Sequence, residues 1–136
     1  MMPTENQKAA PFFKFENLRI YHKAEQFSNA VLAVYDRTLN DTDRMVCQLM
    51  FEAASLIATN IIEGSSVNKN AFIGYLQQVK GNIRSCVYYN ALLLDRGIID
   101  EEQHNDIHNE LVELTKMAGA LIVSLQGENQ PTVNKL

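Results

Sequence analysis

The chain has few residues that break helices. Its 136 residues include six glycines and three prolines, and the prolines (Pro3, Pro11 and Pro131) all lie near the termini. Proline interrupts a helix because it lacks a backbone N–H and its ring clashes with the preceding turn. Apolar and polar residues also show no strand-type alternation anywhere. These absences exclude a sheet-rich fold and favour long helices.

Features of membrane and secreted proteins are also missing. No apolar run approaches the ~20 residues that cross a bilayer, and the first eleven residues carry Glu5 and Lys8 where a leader would have an apolar core. We therefore expect a cytoplasmic protein with no membrane partner. The only cysteines, Cys47 and Cys86, lie among apolar neighbours. This setting predicts small buried side chains rather than a disulfide or a metal pair.

Positive charge is scarce. The net charge is −4, from 12 Lys and Arg against 16 Asp and Glu. Phosphate binding needs concentrated cations, so this composition disfavours a strongly nucleic-acid-binding surface. The charges are unevenly spread, because residues 70–96 carry three cations against one acid, and residues 97–136 carry two cations against seven acids. One face is therefore expected to be locally basic.

Four segments are predicted to form helices. The first should span about 16–38, and the second should begin after the turn at 40–43 and end at Gly64 in a left-handed C-cap. The third follows the turn at 65–68 and ends at Gly97. In the fourth, Asp100 and Gln103 resemble a capping box. Such helices pack most simply as an all-α, antiparallel up-down-up-down four-helix bundle. We expect a flexible segment at 1–14, the bundle at 15–126 and a disordered tail at 127–136.

Each predicted helix has a stripe of residues at alternating spacings of three and four, the pattern of one buried helix face. The stripes are Ile20, Ala24, Phe27, Val31 and Val34 in the first helix; Val46, Leu49, Ala53, Leu56, Asn60 and Glu63 in the second; Phe72, Leu76, Val79, Ile83, Cys86, Asn90 and Leu93 in the third; and Ile107, Leu111, Leu114, Ala118, Leu121 and Leu125 in the fourth.

Apolar residues outside these stripes favour self-association, because a four-helix monomer does not need apolar side chains so far round its helices. A wide core with tyrosines at its rim is the alternative. These residues are Tyr21, Leu32, Tyr35, Met50, Phe51, Ile57, Tyr75, Tyr88, Tyr89 and Leu92.

Asn60 and Glu63 place an amide and a carboxylate in the predicted buried stripe of the second helix. A carboxylate facing a core is unfavourable unless it is paired or hydrogen-bonded. We interpret the pair as a structural polar lock, with Arg19, Lys23 or Arg84 as the partner of Glu63. The alternative is a binding site in which Glu63 serves as a general base.

Two other residue sets were candidates for chemistry. Cations near aromatic residues can bind single-stranded nucleic acid, and the candidate cations are Arg19, Lys23, Lys80 and Arg84, with Tyr21 and Tyr75 as stacking partners. Glu101 and His104 match one Glu-x-x-His element of di-metal bundles, and His108 shares their face. No second such element occurs, so we predict no metal, no cofactor and no catalytic residues.

Three segments carry a recognisable pattern: residues 15–24, residues 53–64 (ending Asn-Ile-Ile-Glu-Gly) and the set Phe72, Tyr75-Leu76, Lys80-Gly81. They resemble the four-helix-bundle family named for 23S ribosomal RNA intervening sequences, also labelled S23 ribosomal proteins. The chain is also similar to the accessory variability determinant of diversity-generating retroelements. The resemblance implies a bacterial, cytoplasmic, ring-like homopentamer with no established catalytic activity. It also implies an RNA, DNA or reverse-transcriptase partner for the retroelement relative.

The chain departs from the family pattern at positions that bear on RNA binding. Phe51 and Glu52 stand where one or two arginines are usual, and Leu56, Asn82 and Ser85 replace two serines and a glutamate. Because these arginines are missing, the resemblance gives less reason to expect RNA binding. We therefore expect a non-enzymatic oligomeric scaffold. The alternative is a nucleic-acid-binding accessory protein that acts with RNA, DNA or a reverse transcriptase.

Overall fold

The described part of the chain is a bundle of four helices. The computed structural model describes residues 12–129. A 3₁₀ turn at Lys14–Asn17 precedes α1 (Arg19–Arg37), α2 (Asp41–Ser65), α3 (Lys69–Asp95) and α4 (Glu101–Asn129), and this range contains no strand. Each helix packs on its neighbours in sequence, α4 also packs on α1, and the backbones of the diagonal pairs stay more than 8 Å apart between Cα atoms. The predicted all-α four-helix bundle is confirmed.

The helix ends follow local capping chemistry. The Asn40 side chain accepts a hydrogen bond from the Asp43 backbone N–H at 3.0 Å, at the start of α2. At the start of α4, Asp100 and Gln103 each accept from the other's backbone N–H, at 2.8 and 3.1 Å, so the predicted capping box is confirmed. Gly97 follows α3 with φ of +71°, the left-handed conformation that glycine adopts without strain.

The buried stripes of α1 and α3 agree with the sequence prediction at every position. That of α4 differs at one point: Ile122 is buried and Leu121 only half-buried. Both positions lie on the inner half of the helix, and the rotation of α4 about its own axis decides which of the two is buried.

The predicted stripe of α2 is wrong by about one residue. The core residues are Cys47, Met50, Ala54, Ile57 and Ile61, all 0% exposed. Ala53 is buried as predicted, but Leu49 and Leu56 are exposed and so is the carboxylate of Glu63. Met50 and Ile57, taken as additional apolar residues, are core residues. Because α2 is apolar round most of its circumference, its spacing fits two adjacent faces.

The apolar character of α2 exceeds what the core uses. By length and composition alone α2 is apolar enough to cross a membrane, a test that the buried core helices of soluble proteins also pass. Only 33% of its most apolar stretch of 18 residues, however, is buried in the bundle. The expectation that no segment approaches this threshold is therefore wrong for α2. The cytoplasmic location stays a prediction.

The fourth helix extends further than expected. It continues through Gly127 to Asn129, where the sequence suggested an end near residue 126. Residues 1–11 of the predicted flexible segment 1–14, and residues 130–136 of the predicted disordered tail 127–136, lie outside the described residues.

Candidate functional site

Asn60 joins α2 to α3. Its Nδ2 donates a hydrogen bond to Oδ1 of Asn82 at 2.8 Å, and both residues are half-buried. In the sequence, Asn82 is notable only as a departure from the family pattern. Its pairing with Asn60 could not be predicted, because the partner of Asn60 depends on how the two helices are aligned. A pair of amides at a helix contact can satisfy each other without introducing charge.

Glu63, the other residue of the predicted polar lock, has a different setting. Its side chain is exposed, and in residues 12–129 it forms no ion pair with Arg19, Lys23, Arg84 or any other cation. It lines an open cavity of about 410 Å³ beside the 3₁₀ turn, which Phe12, Phe13 and Lys14 also line. Glu63 therefore does not face the core, and the reason for expecting it to be paired is removed.

Gly64 sits at a close approach of α2 and α3. A Cβ added there would lie 2.6 Å from Cδ1 of Phe72 and 2.9 Å from Cβ of Tyr75, well inside the ordinary carbon–carbon contact distance. The predicted left-handed C-cap is wrong, because α2 continues to Ser65 and, in the described range, only Gly97 has a positive φ. Glycine is needed here for close packing.

The interior glycines of α3 do not have this role. At Gly81 the nearest atom to an added Cβ is a nitrogen of the Arg84 guanidinium at 3.7 Å, and at Gly74 nothing lies within 4 Å. Both positions have room for a methyl group.

The four predicted nucleic-acid-binding cations do not form one patch. Arg19 and Lys23 are on α1, Lys80 and Arg84 are on α3, and these two helices are diagonal to each other in the bundle. Lys23 also forms an ion pair with Glu113 of α4, at 3.2 Å between Nζ and Oε2. The arrangement therefore gives two separate pairs of cations.

A groove follows the outer junction of α1 and α2. It encloses about 240 Å³ and is lined mainly by apolar and small side chains, among them Tyr21, Leu32, Phe51 and Ile62. The hydroxyl of Ser28, which also lines it, is buried and has no hydrogen-bond partner. Three of these side chains belong to the additional apolar residues noted in the sequence.

The core contains one nearly inaccessible amide, Asn90, which is 1% exposed. Its Nδ2 donates to the backbone oxygen of His104 at 3.0 Å and so ties α3 to α4, while its Oδ1 has no partner. An unpaired buried acceptor is unfavourable. Asn90 was predicted as part of the buried stripe, but its contact with α4 was not foreseen.

The two thiols are both free and buried, as the sequence indicated. Burial raises the pKa of the Cys86 thiol to about 12. A thiol in this state is a poor nucleophile, since the thiolate is the reactive form.

The residues considered for metal binding are close to one another but few. The rings of His104 and His108 lie 6.4 Å apart between centroids. In residues 12–129 no group of three or more His, Cys, Asp or Glu side chains is placed to hold a metal ion.

Two interactions join the turns at the end of the bundle that holds the α1–α2 and α3–α4 connections. Arg96 donates from Nε to Oδ1 of Asp43 at 2.7 Å, which links the end of α3 to the start of α2. The Arg44 guanidinium lies 4.2 Å from the ring centre of Tyr35 and donates to the Thr38 backbone oxygen at 3.1 Å. These contacts are structural in character.

Comparisons with known proteins agree with the fold. A family described as 23S rRNA-intervening sequence protein matches residues 16–120. The 1.70 Å crystal structure of a protein of unknown function from the S23 ribosomal protein family of Bacteroides thetaiotaomicron VPI-5482 is similar, with a TM-score of 0.69 and 21% identity over 76% of this chain and 97% of that chain. At that identity the likeness shows the bundle alone. No curated protein matches. Because the family match spans most of the bundle, the chain belongs to the 23S rRNA-intervening sequence protein family.

Proposed function

We propose that this protein is a non-enzymatic, oligomeric helical bundle, a homopentamer, that serves as an interaction scaffold. The observation that carries the proposal is the outward apolar surface of α2. Leu49 is 40% exposed and Leu56 is 49% exposed, and Met45 on the same side is 57% exposed. Fully burying a leucine side chain contributes about 1.5–3 kcal/mol. Covering this surface with another copy would therefore stabilise the assembly. The number five follows from the family resemblance.

The non-enzymatic part of the proposal rests on the surroundings of Glu63. General-base catalysis uses a positioned group whose own hydrogen bonds orient it. In residues 12–129 no His, Lys or Arg side chain pairs with Glu63. The nearby Ser66 hydroxyl donates to the backbone oxygen of Glu63 rather than to its carboxylate. This setting favours a surface role for the residue.

The test is the mass of the protein in solution, measured by light scattering. We expect a mass five times that of the chain, and we expect Leu49→Asp with Leu56→Asp to lower it without loss of helical circular dichroism. Leu39→Asp is the matched control, because Leu39 is exposed in the turn before α2. A wild-type monomer at micromolar concentration would refute the proposal.

A nucleic-acid-binding accessory role is the second candidate. Its support is the pair Lys80 and Arg84, which lie one turn apart on α3 and form no ion pair with any described residue. Binding of a labelled single-stranded RNA should then weaken steeply between 50 and 200 mM salt, as counterion release requires. Lys80→Ala with Arg84→Ala should reduce it further. No retention of RNA or DNA at low salt would reject this role, and a reverse-transcriptase partner would be sought only if binding is found.

A further inference from the structure

The bundle carries two outer surfaces of opposite charge on the two sides of α3. The first, the α2–α3 surface, consists of Met45, Leu49, Glu52 and Leu56. These exposed residues lead at spacings of three and four to Asn60, which contacts Asn82 of α3, so they lie on the outer side of α2 next to α3. Glu52 is exposed between the two leucines and forms no ion pair within residues 12–129.

The second, the α3–α4 surface, lies on the other side of α3. On α3 the residues Lys80, Arg84 and Val87 flank the buried stripe opposite to Asn82, and therefore face α4. On α4 the residues Val112, Lys116 and Val123 share one side, with Glu113 turned toward α1 by its ion pair with Lys23. The Asn90–His104 contact aligns the antiparallel helices so that Lys80 is near the level of Lys116.

The cations of the α3–α4 surface are unpaired within residues 12–129 of their own copy. Lys80, Arg84 and Lys116 form no ion pair with described residues. No Asp or Glu occurs between residues 73 and 88 of α3. None occurs either between residues 108 and 126 on the side of α4 that carries Val112, Lys116 and Val123. Val87, Val112 and Val123 are exposed among the cations. Such a mixture of cations and exposed apolar side chains fits a partner that is apolar and acidic.

We infer that the α3–α4 surface of one copy binds the α2–α3 surface of a second copy, an inference that rests on the proposed oligomeric function. Leucines would meet valines, and Glu52 would meet the cations Lys80 and Arg84. The two surfaces differ, so the contact is head-to-tail, and because they flank α3 at an angle to each other, successive copies rotate and can close a ring. The surface of one copy is large enough for this contact, because an interface of about 800 Å² per partner would cover roughly a tenth of its 8728 Å² accessible surface.

Charge reversal tests the pairing. Arg84→Glu alone, Lys80→Glu with Arg84→Glu, and Glu52→Arg should each weaken assembly at least tenfold, measured as the concentration at which light scattering detects the oligomer. A chain that combines Glu52→Arg with Lys80→Glu and Arg84→Glu should recover most of the loss, because the opposite signs face each other again. Glu102→Arg is the control, since Glu102 is exposed at the start of α4 away from both surfaces. Circular dichroism checks that each variant is helical.

The outcomes separate the two proposals. An oligomeric wild type whose mass is unaffected by the reversals overturns this pairing and leaves the oligomeric function standing. A monomeric wild type overturns both. If the Lys80 and Arg84 reversals abolish RNA retention and leave the mass unchanged, nucleic acid occupies the α3–α4 surface and the inference is refuted. Weakening by each reversal with recovery in the combined chain supports it.

Discussion

Replacing Gly64 with alanine tests the close approach of α2 and α3. In most helix interiors this change is favourable by about 1 kcal/mol, because alanine restricts the unfolded chain and suits the helix. Here the new methyl group would lie 2.6 Å from the Phe72 ring and 2.9 Å from Cβ of Tyr75. The ring can turn, but Cβ of Tyr75 is fixed to the backbone of α3. The helices must therefore separate by a few tenths of an ångström or more.

The expected magnitude follows from these opposing effects. Overpacking of a well-packed core costs about 1–3 kcal/mol, and moving α3 also loosens its neighbouring contacts with α2. Subtracting the helix gain of about 1 kcal/mol from the overpacking cost leaves a net loss of about 0–2 kcal/mol. Because α3 also moves, we expect Gly64→Ala to lower the free energy of unfolding by about 1–2 kcal/mol, the upper half of this range. For a chain of this size that corresponds to a fall in Tm of roughly 3–6 °C.

Gly74→Ala is the matched control. It makes the same substitution inside α3, where nothing lies within 4 Å of the added Cβ, and should raise stability by up to about 1 kcal/mol. Urea unfolding of both variants at one protein concentration, followed by circular dichroism, measures the difference. Equal stabilisation by the two substitutions would refute the reasoning about the Gly64 contact.

Further predictions concern three places in the interior: the Asn60–Asn82 pair, the two thiols and Asn90. Asn60→Ala should lower the free energy of unfolding by about 1 kcal/mol by removing the hydrogen bond to Asn82, and replacing both residues with leucine should restore it in urea melts. Cys47 and Cys86 should react with a thiol reagent at pH 8 only as the protein unfolds. Stability should also fall as pH rises from about 9 toward 12, because burial raises the Cys86 pKa from 9.0 to about 12 and the unfolded chain loses that proton first. Asn90→Asp should destabilise by more than about 2 kcal/mol at pH 7, and by less at pH 5, because burial raises the pKa of the new carboxyl and acid neutralises it.

Specific results would contradict each of these. An unchanged urea midpoint in Asn60→Ala would mean that water replaces the amide contact at no loss. Rapid modification of the thiols in the native protein would place them at the surface. A pH-independent effect of Asn90→Asp would show that the new carboxylate finds a partner or solvent.

The fold could be predicted because α1 and α3 each carry one continuous apolar stripe at helical spacing. A single stripe on a polar helix, such as Phe27 with Val31 and Val34, has one possible inward direction. The turns were also readable, since Asn40 and Asp100 satisfy the first N–H groups of their helices by local geometry. Such features depend on residues close in sequence.

The prediction failed in α2 for a physical reason. Leu49 and Leu56 are as apolar as Met50 and Ile57, so hydrophobicity alone does not decide which pair faces the core. That choice depends on how α2 is rotated against its neighbours, and the wrong rotation placed Glu63 inside. The Asn60–Asn82 and Asn90–His104 contacts could not be predicted from the sequence either, because each depends on the axial alignment of two helices.

The order of helices round the bundle has a consequence for how the chain opens and closes. Three of the four helix contacts join elements adjacent in sequence, and α1 packs less extensively on α4 than on α2. Chains rich in local contacts fold quickly, and the least extensively packed junction opens at the lowest free energy. The first helix should therefore separate from α4 before the α2–α3 pair exchanges its amide hydrogens. We expect the α1–α4 junction, which the Lys23–Glu113 ion pair spans, to close last.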